Sequence, residues 1–564
     1  MQRKQLTLVI VSLLVVVLSV SLAWFTTQII GKGKDVSVTS ANLQIVFTDS
    51  DGALTETDIE PGWSATKTFT IKNDTKTEYK YNIVIKDLLN TFVTEGYLQY
   101  KITSTNGGYN MTEFKDIPKS SIATDTILAY SVSIPVGVTQ SYTIEFKYAN
   151  DESVDQSDDM GKKLSGTLFI TEGTEQPTLL SQILKDNPTR SVRTDFSEPF
   201  TTNTANTLYK ATENGIDVYY FAGVENIEEG CEYSGQKITD YSSNKLNENT
   251  CSGEIEVCHT DNNEYLYFGT SSCNGFDGSV EKIQVLWTSG VEKPLNNWVK
   301  FGKNSSNQDL YWRIIRTNSD GSIRLLYHGI STTATDAYIG ESQFNKIFND
   351  SMYVGYMYGT SGSQESNRTN ANNSTIKTVI DNWYASNMTS YTKYLSTTAV
   401  YCNDREVGSG TYSATGSIFY YAPYARVYTS YAPTYDCTNN NDKFTVDAST
   451  GNGKLTYPIA LMTADEIAYA GGATSKKAPM WYYTNSSFES STGLTEWWSL
   501  SPFNWDVSGA SSWRVFGKGS LSGFGVNYSR SVRPVVSLKS CIKYSTGNGT
   551  SETPYEIVET SSGC

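Results

Sequence analysis

The sequence predicts a multidomain chain: an N-terminal transmembrane helix, an all-β sandwich, and a larger α+β domain that ends in a disulfide-clipped hairpin. Three observations carry this expectation. A charge-free apolar run opens the chain, strand-like runs separated by turn-formers recur over residues 35–172, and beyond residue 291 such runs alternate with two well-capped helical patterns. At 564 residues the chain is too long for one hydrophobic core, given about 100 to 200 residues per domain.

In residues 1–31, Arg3 and Lys4 precede LTLVIVSLLVVVLSVSLAWF, which is about the length a helix needs to cross a bilayer. The run exceeds the roughly 7 to 15 residues of a signal-peptide core, which favours a retained anchor. Ser21 to Ala23 nevertheless offers small residues where a peptidase can cut. The expectation is a membrane partner through this N-terminal helix, with the rest of the chain on the extracellular face of the cell membrane (single-pass anchor), or else a secreted chain.

The net charge is −15, and no Lys/Arg-rich block offsets it locally, so the field repels phosphate backbones and nucleic acid is excluded as a partner. Only 18% of residues are charged while tyrosines number 39, a composition that suits an extracellular β-rich protein. The even set of eight cysteines in an exported chain reads as four disulfides. Local loops close at least entropic cost, which favours neighbour pairing: Cys231 with Cys251, Cys258 with Cys273, Cys402 with Cys437, and Cys541 with Cys564. Zinc is the weaker alternative, because no CxxC pair occurs and His259 and His328 are the only histidines.

Residues 35–172 carry LQIVFTD, ATKTFTIKN, YKYNIVIKD, YLQYKITS, LAYSVSIPV, QSYTIEFKY and LSGTLFITE, separated by turns such as Asn73-Asp74 and Asn106-Gly107-Gly108. Seven or so short strands over this length predict an antiparallel, Ig-like sandwich. Residues 173–206 read as a linker holding one short amphipathic helix in PTLLSQILKDN, and residues 207–290 as a cysteine-containing β region. In residues 291–540 WRIIRT and SIRLLYH flank the tight turn Asn318–Gly321 and predict a hairpin. Asn373 or Ser374 caps a helix whose face is Ile376, Val379, Ile380 and Trp383. Thr463 and Glu466 make a capping box for a second helix that Gly471 and Gly472 stop. Residues 541–564 form the cysteine-bounded C-terminal hairpin.

Two stretches carry resemblances. DIEPGWSATKTFTIKNDTKTEYKYNIVI, with its Pro61-Gly62 turn, resembles the camelysin and biofilm-matrix fibre-subunit group of Gram-positive bacteria, although a spacer sandwich is the plainer reading. In the C-terminal part, NNWVKFG, YWRIIRTNSDGSIRLLYHG, YPIALMTADEIAYAGG, EWWSLSPFNW and VRPVVSLKS occur in this order. Together they resemble exported proteins of gut Firmicutes with the C-type-lectin-like, or formylglycine-generating-enzyme-like, fold. The variable proteins of diversity-generating retroelements are one branch of it. In that branch the segment between the WxxS-type strand and the closing VRPV strand is rewritten at adenines, mostly in Asn codons.

FNWDVSGASSWRVFGKGSLSGFGVNYSRSVRPV resembles that outcome. Most of its polar, glycine and scattered aromatic positions are reachable from Asn codons by changes at adenines, whereas Trp505 and Trp513 must be fixed. The ligand-binding residues this implies are Phe503, Asp506, Val507, Ser508, Ser511, Ser512, Arg514, Phe516, Ser520, Ser522, Phe524, Asn527, Tyr528 and Arg530. In an extended segment Trp513 and Val515 face one side and pack inward, while Ser512, Arg514 and Phe516 face the other. Leu521, Val526 and Val532 continue the anchoring, and each buried anchor is worth about 1.5 to 3 kcal/mol. Tyr, Phe and Arg among Ser and Gly make a paratope-like surface. A plain solvent-exposed Gly/Ser loop is the competing interpretation.

No catalytic motif appears: GxSxG, Walker and HExxH patterns are missing from the sequence. Cys541 and Cys564 lie after the last strand of the resemblance and read as structural, unlike the reactive cysteine pair of formylglycine-generating enzymes. Asp465 and Glu466 sit in a first helical turn, where negative charge suits the dipole. Glu-Pro-Asn and Trp-Asn-Asp sugar motifs are not matched by SEPF and FNWD, so the lectin-like fold does not imply carbohydrate. The expectation is a non-enzymatic surface protein without cofactor or metal, adhesin-like or receptor-like. Its variable face binds a protein or glycoprotein ligand on another cell, a phage or a host. The alternative is a structural envelope or biofilm-matrix protein.

Overall fold

The computed structural model describes residues 36–40, 43–49, 59–94, 96–202, 206–227, 230–233, 236–240, 246–247, 249–260, 265–269, 279–288, 291–292, 295–333, 337–476, 478, 480–482, 496–517 and 519–564. The chain divides into two compact units, Met1–Gln176 and Pro177–Cys564. Of the described residues 42% are strand and 12% helix, so the structure is predominantly β. This corrects the expected fold class of a membrane helix, a sandwich and an α+β domain. Among the described residues no helix is long and apolar enough to cross a membrane, the longest being the 13-residue Thr375–Asn387. The apolar run expected to form that helix, in residues 1–31, lies outside the described residues. The α+β expectation gives way because strand predominates: the described helices of the second unit run from three to 13 residues and are outnumbered by its strands.

In the first unit a six-stranded sheet runs Val36–Ser40, Leu43–Asp49, Ser64–Asn73, Thr139–Tyr148, Leu98–Ser104, Lys115–Asp116, and a three-stranded sheet runs Ser120–Ile134, Tyr79–Asn90, Leu164–Glu172. All neighbours are antiparallel. Period-two alternation drives the packing: Phe69 and Ile71 of one strand and Tyr142, Ile144 and Phe146 of its neighbour turn inward. They meet Tyr81, Ile83 and Ile85 of the other sheet in one core. The Pro61-Gly62 turn feeds this sheet through Gly62 N–H to the Tyr148 carbonyl at 2.7 Å, with Gly62 at φ 95° where a side chain is disfavoured.

The second unit is organised on a ten-stranded sheet. The expected hairpin is its centre: Asp309–Thr317 pairs with Ile323–Gly329, and Gly321 at φ 77° closes the turn with its N–H on the Asn318 carbonyl. Pro534–Leu538 pairs with Ile323–Gly329 on one side and with Ile459–Leu461 on the other. The helix expected in PTLLSQILKDN is Leu179–Asp186, capped by Thr178, with Leu179 and Ile183 buried. It sits against the C-terminal segment, Leu179 N–H donating to Ile542 O and the Tyr555 hydroxyl donating to Asp186 at 3.0 Å. Ser374 caps Thr375–Asn387, whose Ile376, Ile380 and Tyr384 are buried, while Val379 and Trp383 are half-buried.

Between Ile216–Tyr220 and Asp309–Thr317, which pair with each other, the chain leaves to build a separate six-stranded sheet with a small core of its own around Val257, Ile283 and Val285. Three of the expected neighbour disulfides are formed: Cys231–Cys251, Cys402–Cys437 and Cys541–Cys564, with Cα separations of 5.6, 5.8 and 5.8 Å. Cys258 is also disulfide-bonded, and its expected partner Cys273 lies outside the described residues. These bonds fit an extracellular or secreted setting.

Candidate functional site

The segment singled out in the sequence folds as a strand, turn, strand, turn, strand. Trp497–Trp505 pairs antiparallel with Ala510–Phe516, placing Trp498 opposite Arg514 and Trp505 opposite Ala510. Ala510–Phe516 pairs in turn with Ser520–Gly525, from Ser511 opposite Gly525 to Phe516 opposite Ser520. The first turn is tied by the Asp506 carboxylate, which accepts the N–H groups of Ser508 and Gly509, both at 2.9 Å. Val507 holds φ 65°, an uncommon conformation for a β-branched residue, and is 54% exposed. The expected anchors Trp505, Trp513, Val515, Leu521, Val526 and Val532 are all buried.

Around this frame the candidate residues divide. Val507, Ser508 and Tyr528 are exposed, and Phe503, Asp506, Ser511, Phe516, Ser522, Phe524, Asn527 and Arg530 are half-buried. Ser512 and Ser520 are fully buried and Arg514 nearly so, which corrects the expectation that alternation leaves one face of Ala510–Phe516 open. The physical reason is a second layer. Phe503 lies edge-on over Trp513 at 4.7 Å on one face, and Phe524 and Glu496 cover Arg514 on the other. Glycines in the window are similarly constrained: a Cβ on Gly523 would come within 2.3 Å of the Phe503 ring. Asn527 is held through its carbonyl, which accepts from the Gln343 side chain at 2.6 Å.

The charged part of the face is compact. Arg514 and Arg530 both pair with the same oxygen, Oε2 of Glu496. The Arg514 guanidinium carbon lies 3.8 Å and that of Arg530 4.2 Å from the Phe524 ring centre, and Tyr528 packs on Phe524 at 4.8 Å. Burial, and then the neighbouring Arg530 charge, push Arg514 down to about 10. Burial also lowers Arg530, against the attraction of Glu341 and Tyr528.

Other contributors were not singled out from the sequence. Tyr420, Tyr424 and Tyr428 form a ladder with ring centres 4.1 and 5.1 Å apart, and Tyr424 meets Phe503 at 5.2 Å. Their four-residue spacing is a helical signal, realised as the short turn Ala422–Tyr424 and the π-type turn Ala425–Thr429. Arg426, within the second of these turns, makes a bidentate pair to Asp465 at 2.9 and 3.0 Å and a contact to Asp404 at 2.7 Å.

The capping box predicted at Thr463 is present, yet Glu466 also serves a buried ionic cluster. Its Oε1 receives Arg316 at 2.9 Å and Arg324 at 2.5 Å, and Arg316 also holds Glu213 at 2.9 Å. Burial raises the Glu466 carboxyl, and Arg324 and Arg316 more than offset it, holding it at about 2. A cavity of about 20 Å³ lies against Arg324, Arg426, Asp404, Asp465 and Glu466, room for about one water. These acids are neutralised by arginines, which makes the cluster structural. Among the described residues no group of three or more His, Cys, Asp or Glu side chains is placed to hold a metal ion. No family model matches this chain, and no curated protein matches it.

Proposed function

We propose that this protein is an exported, non-enzymatic binding protein of the C-type-lectin-like type. Its recognition face is the surface formed by Phe503, the Asp506–Ser508 turn, Ser511, Phe516, Ser522, Phe524, Asn527, Tyr528 and Arg530, and its ligand is a protein or glycoprotein of another cell, a phage or a host. The observation that carries the reading is the separation of roles within one short segment. Trp505, Trp513, Val515, Leu521 and Val526 are buried at 0 to 1% exposure, while Val507 and Tyr528, a few residues away, are each 54% exposed. A frame anchored in this way tolerates substitution of what it displays, because the displayed side chains contribute little core energy. Aromatic and arginine side chains presented on a rigid support are the groups that dominate binding energy at interfaces.

Ser512, Ser520 and Gly523 are left out of the face, since two are enclosed and the third is covered by Phe503. Sequencing the gene from many isolates tests the reading. Differences should concentrate at Asp506, Val507, Ser508, Ser511, Ser522, Asn527, Tyr528 and Arg530 and spare the buried anchors. Differences spread evenly over the second unit would instead support a structural envelope or matrix protein.

A further inference from the structure

We infer that Arg530, with the enclosed Arg514 guanidinium behind it, forms a receptor for a carboxylate, supplied by an acidic side chain of a protein partner. This deepens the recognition face proposed above and rests on it. Two guanidiniums share one oxygen of a single carboxylate, Glu496 Oε2. Arg514 is nine-tenths buried, and its Nε has no hydrogen-bond partner among the described residues. Arg530 Nη1 donates to the Ser529 carbonyl at 2.6 Å. Each guanidinium carries five N–H donors, so the pair retains far more donor capacity than one carboxylate can use.

Among the described residues the charges around the pair are Glu496, between the two arginines, and Glu341, from the Glu341–Gln343 strand opposite Arg530. Glu341 is exposed, and its attraction is screened by water. Among the described residues the enclosed balance is therefore two cations against one anion. An incoming carboxylate relieves the repulsion between the guanidiniums and accepts the planar two-pronged hydrogen bonding that arginine offers.

The surroundings select the kind of partner. Phe524 is sandwiched against both guanidiniums, Phe516 lies 5.0 Å from the Arg514 guanidinium carbon, and the exposed Tyr528 ring continues the surface. An acidic residue flanked by apolar or aromatic neighbours fits an anion receptor walled by rings. A phosphate-rich polymer does not fit a chain of net charge −15.

The test is calorimetric titration of the full chain with three probes: a capped peptide of alternating glutamate and phenylalanine, its glutamine counterpart, and 3′-sialyllactose. The glutamate peptide should bind at least tenfold more tightly than the glutamine peptide. Arg530→Gln should erase that preference, Arg530→Lys should retain only part of it, and Glu496→Gln should strengthen binding severalfold by freeing both arginines. Near-UV circular dichroism spectra matching the parent at the assay temperature confirm that each variant is folded. Equal binding of the two peptides, no binding of either, indifference to Arg530→Gln, or tighter binding of the sialylated sugar would each overturn the inference. Recognition by the wider face is judged separately by where sibling sequences differ, so the two readings can fail independently.

Discussion

Replacing Glu466 with glutamine probes the scaffold beneath the face. Glutamine keeps the capping-box geometry, since it still accepts the Thr463 N–H that Glu466 accepts at 2.9 Å, and it removes only the charge. Arg316 then retains Glu213, whereas Arg324 is left with the Val400 carbonyl and no carboxylate. The native shift, from 4.5 to about 2, corresponds to about 3 kcal/mol at roughly 1.36 kcal/mol per pKa unit. Loss of one partner from a buried pair costs a comparable 3 to 5 kcal/mol or so.

Because the folded carboxyl titrates below its unfolded value, this stabilisation is complete above about pH 5 and is lost as the pH falls from about 4.5 toward 2. The assay is denaturant unfolding followed by tryptophan fluorescence. Nine of the 11 tryptophans, from Trp287 onward, lie in the second unit, so the signal reports that unit. Glu466→Gln should lower its unfolding free energy by about 3 kcal/mol or more at pH 7 and flatten the acid limb. A loss below about 1 kcal/mol, or an unchanged acid limb, would refute the view that this carboxylate holds the two arginines together.

Further outcomes follow from the same packing. His328 is enclosed beside Trp298 and faces the cations Arg313, itself paired with Glu225, and Arg533; burial and these charges hold its pKa well below 6.5. Stability should therefore be full above pH 6.5 and fall below it by up to about 1.4 kcal/mol per pH unit, and His328→Gln should remove that slope in a pH series of unfolding curves. Gly523→Ala should cost about 1 to 3 kcal/mol because its methyl collides with the Phe503 ring, and Phe503→Ala in the same chain should restore most of it in a double-mutant thermal scan. Ser512→Tyr should destabilise by more than about 2 kcal/mol, whereas Ser508→Tyr should stay within about 0.5 kcal/mol, since the first side chain is enclosed and the second exposed.

Much of the frame was legible in the sequence, and the reasons are local. The Asn318–Gly321 turn, the Thr463 capping box and the inward set Trp513, Val515, Leu521 and Val526 depend on residue types acting within a few positions. The three observed disulfides also follow chain proximity. What escaped depends on distant partners. Period-two alternation correctly places Trp513, but it cannot anticipate that Phe524 and Glu496 cover Arg514 on the opposite face, or that Ser512 is buried there as well. Glu466 reads as a helix-dipole residue because Arg316 and Arg324 lie about 150 positions away in sequence. The tyrosine ladder at Tyr420, Tyr424 and Tyr428 had a visible four-residue spacing, yet only the fold sets it against Phe503.

The most direct test of a displayed, diversified face is the nucleotide sequence of the region encoding Phe503–Val535 together with its flanking kilobases. A near-identical template whose mismatches fall only at adenines, with the codons for Trp505 and Trp513 unchanged and the differences concentrated at Asp506, Val507, Ser508, Ser511, Ser522, Asn527, Tyr528 and Arg530, is the expected result. Finding no such template, with sibling genes diverging as much at Val515 and Leu521 as at Val507 and Tyr528, would contradict it.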